Sequence, residues 1–140
     1  MRARWGEQRW FPGYQVEIHG QRSGLFVIAG SGRERQLSRA GWRTIAREEN
    51  GSDILDSIEA LPDAEKIDAA RTAVQLGEWC DVTIVAQGTR FVVKVNGATI
   101  VDTHDDHPTK FVPMGMLGLE YSHRSGKDDA VEFKDIRLRQ

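Results

Sequence analysis

Two short runs carry side chains suited to proton transfer near neutral pH. Tyr14-Gln15-Val16-Glu17-Ile18-His19 alternates, with Tyr14, Val16 and Ile18 on one face and Gln15, Glu17 and His19 on the other. Further on, Gly118, Glu120 and Ser122 alternate against Leu117, Leu119 and Tyr121. Carboxylates and imidazoles become acids or bases when their surroundings bring them close to neutrality. With both runs on one concave sheet face, Glu17, His19 and Glu120 would converge. The plainer account of the same residues is a solvated sheet face, which is normally polar. Arg33 and Arg35 lie in a polar stretch beside a Gly-rich turn, where guanidiniums can donate to an oxyanion or simply face water.

Other residues with chemical potential carry weaker signals. His104-Asp105-Asp106-His107 places two imidazoles and two carboxylates together, a composition that suits a metal. Pro108 follows and argues against a helix that would align the histidines. The spacing matches no zinc pattern, so a hydrated hairpin loop accounts for it and no metal site is expected. Trp5, Trp10, Trp42 and Trp79 are potential sugar-stacking platforms; Trp79, which opens a strand, reads as core, and Trp5 and Trp10 as exposed or in contact with another chain. Cys80 is the single cysteine and reads as a small buried or edge residue, with no internal disulfide to form. No phosphate loop, dinucleotide fingerprint or serine elbow occurs, because Gly30-Ser31-Gly32 lacks the G-x-S-x-G spacing. No cofactor is expected.

These residues sit in a chain of 140 residues, 39% hydrophobic and 29% charged, the balance of one globular domain with a real core. A net charge of -2 with interspersed signs argues against a nucleic-acid surface. No apolar run reaches membrane-spanning length, and no secretion signal follows the basic Met1-Arg2-Ala3-Arg4-Trp5.

The elements that must position the candidates read mostly as strands. Leu25–Ala29, bounded by Gly24 and Gly30, reads as a buried strand, and Trp42–Ala46 as another. Val82–Ala86, Thr89–Val95 and Ala98–Asp102 follow, the last two joined by Asn96-Gly97, the strongest short hairpin signal. The final strand spans Ala130–Leu138, where Phe133 and Ile136 stand three apart, so a bulge near Lys134-Asp135 would restore the inward register. Between these lies a helical excursion over 52–76. Ser52-Asp53 can cap a first helix with Ile54, Leu55, Ile58 and Leu61, and Pro62 breaks it. Ala64, Ile67, Ala70, Arg71 and Val74 then form a helical stripe that Gly77 stops. The whole predicts an all-β antiparallel sandwich with a short helical insertion.

The ordered succession of motifs resembles the 3-keto-disaccharide hydrolase family, concanavalin-like jelly rolls. It runs through Gly13-Tyr14-Gln15-Val16-Glu17-Ile18, the Gly24-Leu25-Phe26 to Gly32-Arg33-Glu34-Arg35 stretch, and the chain from Gly77-Glu78-Trp79 onward. In that last part Val95-Asn96-Gly97, Val101-Asp102, Gly115–Glu120 and Val131–Leu138 fall in the family's order. Members carry several strands before the Gly-Tyr-Gln segment, where this chain has only Met1–Pro12. The resemblance therefore implies an N-terminally incomplete sandwich, whose open edge a second copy or a companion chain would cover. Cys80 and Lys94 stand where the family more often shows a polar amide and an aromatic, and Lys94 argues against sugar stacking there.

What the resemblance implies is cleavage of glycosides already oxidised at C3. The ketone acidifies C2–H; a base removes that proton and the C1 substituent departs with help from an acid. Glu17, His19 and Glu120 would form the acid/base set, with Gln15, Arg33, Arg35 and Ser122 as substrate-binding groups. The expected partner is then an oxidised carbohydrate, with no nucleic acid and no membrane, in the periplasm or outside the cell. The alternative on the same fold is a non-catalytic carbohydrate-binding or assembly module.

Overall fold

The computed structural model of the chain describes residues 13–18, 24–28, 35–75, 77–115, 117–119 and 130–139. Strands dominate. The first three are β1 (Gly13–Glu17), β2 (Gly24–Ile28) and β3 (Arg35–Arg39), which form a three-stranded antiparallel sheet in chain order. β4 (Trp42–Glu49), β5 (Ser52–Ala60), β6 (Val82–Gln87), β7 (Arg90–Val95) and β8 (Ala98–Asp105) form a five-stranded sheet ordered β5-β4-β8-β7-β6. Its pairings are antiparallel except β4 with β8, which run parallel, so the second sheet is mixed. β3 packs across β4 and β8, and α1 (Ala64–Gln75) packs against β8. The result is sandwich-like.

The register of the five-stranded sheet separates its two faces. Phe91, Val93 and Val95 point inward with Val101, Ile100 and Ala98, and all are buried with Leu37, Ala46 and Leu61. The alternation slips between Val93 and Lys94, where a bulge lets both Ile100 and Val101 be buried. Asn96 and Gly97 both take positive φ (49° and 79°), as a two-residue turn of the I′ kind requires. The helix ends as Gly77 predicts. Glu78 N–H donates to Ala73 O and Gly77 N–H to Val74 O, the paired bonds of a Schellman cap. Ile67, Ala70 and Val74 face the core, the stripe expected of this segment.

The sheets are also stitched by hydroxyls. Thr44 Oγ1 donates to Leu37 O at 2.8 Å and lies 2.6 Å from Thr103 Oγ1, all three residues being buried. A carbonyl of β3 is thereby satisfied by a side chain of the facing sheet.

Four expectations are corrected. Residues 52–60 form strand β5, not a helix: Asn50-Gly51 (φ 51° and 76°) closes a hairpin that pairs the segment with β4. The helical insertion is therefore Ala64–Gln75 alone. Trp79 is 56% exposed, because it lies in the connection before β6, with Lys134 Nζ 4.1 Å above its ring. His104 and Asp105 belong to β8, so the His104–His107 run is only half a loop. Finally, 117–119 and 130–139 have no strand assigned, and Leu117, Leu119, Val131, Phe133, Ile136 and Leu138 are exposed. Alternation alone makes no strand without a ladder partner, and none is assigned to them among the described residues. Asp135 does take positive φ (54°) where the bulge was expected.

Candidate functional site

β1 turns Tyr14, Val16 and Ile18 toward the core, so Gln15 and Glu17 occupy the outer face of the three-stranded sheet. Pairing extends that face across the strands. Gln15, Phe26 and Gln36 share one row, and Glu17, Gly24 and Arg39 share the next. Glu17 and Arg39 thus lie two strand spacings apart, about 10 Å. Gly24 between them has no side chain, and a Cβ there would come within 2.4 Å of Ser38 O and 2.5 Å of Gln36 Nε2. The Gln36 carboxamide fills that space and donates to Ser38 O at 3.0 Å. Arg35 opens β3 instead of lying in a loop, in the row of Val27 and Tyr14. His19, Arg33, Glu120 and Ser122, like Trp5 and Trp10, lie outside the described residues.

This outer face leads into a cleft that the sequence did not single out. Gln36 and Arg39 of β3, Trp42 and Thr44 of β4, and Leu55 and Ser57 of β5 line about 400 Å³, a volume in the range of small-ligand sites. Trp42 is 43% exposed and Leu55 37%. Among the described residues the Arg39 guanidinium has no ion-pair partner. An indole face, a free guanidinium and a hydroxyl in one cleft suit a ligand with an apolar face and polar edges. The available sequence signal was Trp42 beginning a strand directly after the Ala40-Gly41 turn.

Polar clusters elsewhere hold the scaffold. Tyr14 Oη donates to Asp105 Oδ2 at 2.5 Å and accepts from Val112 N–H at 3.3 Å. Its ring stands 4.2 Å from Phe91. His107 is buried, its Nδ1 accepting the amides of Thr109 and Lys110 at 3.2 and 3.1 Å. That leaves Nε2 as the protonated nitrogen, 2.9 Å from Asp53 Oδ1, with Lys110 Nζ 3.3 Å from the same oxygen. Asp106 accepts from Thr89 Oγ1. Asp105, Asp106 and His107 thus each have a side-chain partner outside the run, in Tyr14, Thr89 and Asp53. Among the described residues no group of three or more His, Cys, Asp and Glu side chains could hold a metal.

On the opposite face of the five-stranded sheet Asp102 is 3% exposed between two guanidiniums. Arg90 grips it through Nε (2.9 Å) and Nη2 (3.0 Å), and Arg43 Nε adds a third bond at 3.0 Å while its Nη1 pairs with Glu59. The hydrogen bond from Arg90 is the main cause that holds the Asp102 carboxyl below the usual aspartate range; burial opposes it and Arg43 assists. Arg90 is correspondingly raised by Asp102, and Arg47 by Asp56 and Glu49.

No curated protein and no solved structure matches the chain. A family model does match, as the order of the strand and turn motifs led one to expect. It covers residues 2–139 and describes a 3-keto-alpha-glucoside-1,2-lyase-like domain, so the chain belongs to that family.

Proposed function

We propose that this protein cleaves 3-keto glycosides by acid/base chemistry at C2 and C1, with Glu17, His19 and Glu120 as the proton-transfer groups. Membership of a family described as lyase-like toward 3-keto-alpha-glucosides carries the reading. A base takes the C2 proton, leaving the C–H electrons in the enolate of the C3 ketone; collapse of the enolate then forms the C1–C2 double bond as the C1–O bond breaks. The departing oxygen takes a proton from an acid. The products are an alcohol and an unsaturated 3-keto sugar, and water added across C1=C2 completes a net hydrolysis. Elimination is thus the first half of the hydrolytic outcome and needs no redox partner. Gln15, in the row beside Glu17, would hold a sugar hydroxyl, and Arg33 and Ser122 would complete the binding set, whereas Arg35 stands in the row of Tyr14 and is not part of it.

The direct test is aglycone release from a 3-keto glycoside with the unoxidised glycoside as control. Release from the ketone alone is expected, because only the ketone acidifies C2. Equal cleavage of both would indicate a conventional paired-carboxylate glycosidase. Cleavage of neither by folded protein would favour a carbohydrate-binding module.

Association with a second copy or companion chain belongs to the same reading. β5 and β6 are the outer strands of the five-stranded sheet, and Val82 (44%) and Ile84 (49%) of β6 are exposed on the side that is core elsewhere. Exposed apolar edges are templates for pairing. Sedimentation should show a species heavier than the monomer; a monomer at all concentrations would remove this part of the proposal.

A further inference from the structure

We infer that the cleft between β3 and the β4–β5 edge is the leaving-group subsite of the glycoside, with Trp42 as the stacking platform and Arg39 as the hydrogen-bond donor. The inference rests on the enzyme reading for the position of the reacting ring and adds what the far ring touches. The cross-strand rows carry it. Gln15 and Glu17 continue across the sheet into Gln36 and Arg39, and these two form one wall of the cleft. A ring reacting over Glu17 would direct its C1 substituent across Gly24, over which the Gln36 carboxamide lies, toward Arg39. Two strand spacings, about 10 Å, separate the positions, a span suited to a disaccharide and too long for a small alcohol.

The chemistry of the walls fits a second pyranose ring. A sugar presents C–H groups on its ring faces and hydroxyls at its rim. Trp42 and Leu55 supply apolar surface for a face; Arg39 and Ser57 supply polar groups for the rim. Trp42 costs little to order, because its backbone is fixed on both sides, against β5 at Ala60 and β8 at Val101. The Arg39 guanidinium carries no ion pair among the described residues, so binding a hydroxyl there breaks none.

The test separates this subsite from the acid/base proposal by using binding as well as turnover. The full chain is titrated calorimetrically with trehalose, an unoxidised disaccharide, and with methyl α-glucoside, which lacks the second ring. Trehalose should bind more tightly. Trp42→Ala should erase the difference, a loss of roughly tenfold for one aromatic face. Trp42→Phe should restore part of it, and Trp79→Ala, outside the cleft, should leave it intact. In turnover of the 3-keto forms, Trp42→Ala and Arg39→Met should raise KM for the disaccharide and leave the methyl glycoside unchanged. Equal binding of the two sugars, unaltered binding by folded Trp42→Ala, or no binding of either sugar by wild type would overturn the subsite. A Trp42-dependent preference in a protein that turns over neither ketone would uphold the subsite while removing the acid/base proposal.

Discussion

Tyr14 Oη donates to Asp105 Oδ2 at 2.5 Å, joining the first strand of one sheet to the last strand of the other. The two residues are 91 positions apart in sequence. Because β1 also carries Gln15 and Glu17 on its opposite face, this bond fixes the strand that presents them. Tyr14→Phe keeps the ring against Phe91 but removes the hydroxyl, leaving Asp105 Oδ2 and Val112 N–H without it. We expect a loss of about 1–3 kcal/mol, the order of one hydrogen bond to a carboxylate, read as a lower urea midpoint with an unchanged slope.

His107 performs a similar service at the other end of β8. Its Nδ1 accepts two backbone amides and its Nε2–H meets Asp53 at the start of β5. Nitrogen-15 shifts of the ring should show the Nε2–H tautomer. His107→Phe fills the same space but takes the acceptor from both amides and one partner from Asp53, and should lower stability by roughly 2–4 kcal/mol. The opposite tautomer would mean that Asp53 does not orient the ring.

The failure at Asp53 is instructive about what the sequence held. Asn96-Gly97 and Asn50-Gly51 are the same turn signal, yet only the first stands between unmistakable strands. Ile54, Leu55, Ile58 and Leu61 also satisfy a helical period, and Ser52-Asp53 resembles a cap, so local pattern was ambiguous there. Pairing with β4, a non-local event, decides for strand. The helix that follows was legible because Ile67, Ala70 and Val74 have no competing alternation and Gly77 ends the run. Strand order was not legible: nothing local requires β4 to pair in parallel with β8. The outer-face position of Gln15 and Glu17 followed from simple alternation. The cleft did not, because it joins Gln36 and Arg39 to Trp42 and Leu55 through the packing of two sheets.

Asp102 gives a pH prediction whose sign follows from its depressed carboxyl. A group lowered on folding contributes stability that is complete above its unfolded value, about 3.9 for aspartate. That contribution falls as pH drops through the unfolded value, and it is gone below the folded one. Asp102→Asn should therefore cost about 1–3 kcal/mol at neutral pH and flatten the acid limb of the stability curve. Denaturant unfolding of both proteins between pH 7 and the acid transition measures this. A constant difference between them across the whole range would assign the acid limb to other carboxylates.

The proton transfer proposed for Glu17 can be observed directly at the bond it would break. In a 3-keto glycoside deuterated at C2, removal of that deuteron should slow turnover wherever it limits the rate. Protein incubated in heavy water with the protonated ketone should exchange C2–H at least as fast as it releases aglycone. Glu17→Gln keeps the size and hydrogen-bonding edge of the side chain but cannot accept the proton. It should depress kcat by roughly 10²–10⁴-fold, the usual worth of one general base, and suppress exchange in parallel, with KM little changed. His19→Asn and Glu120→Gln divide the remaining roles. A variant that loses release but keeps exchange marks the acid at the leaving oxygen, because the carbon acid still ionises without it. Full exchange in Glu17→Gln would move the base elsewhere, to His19 or Glu120, and leave Glu17 as part of a polar sheet face.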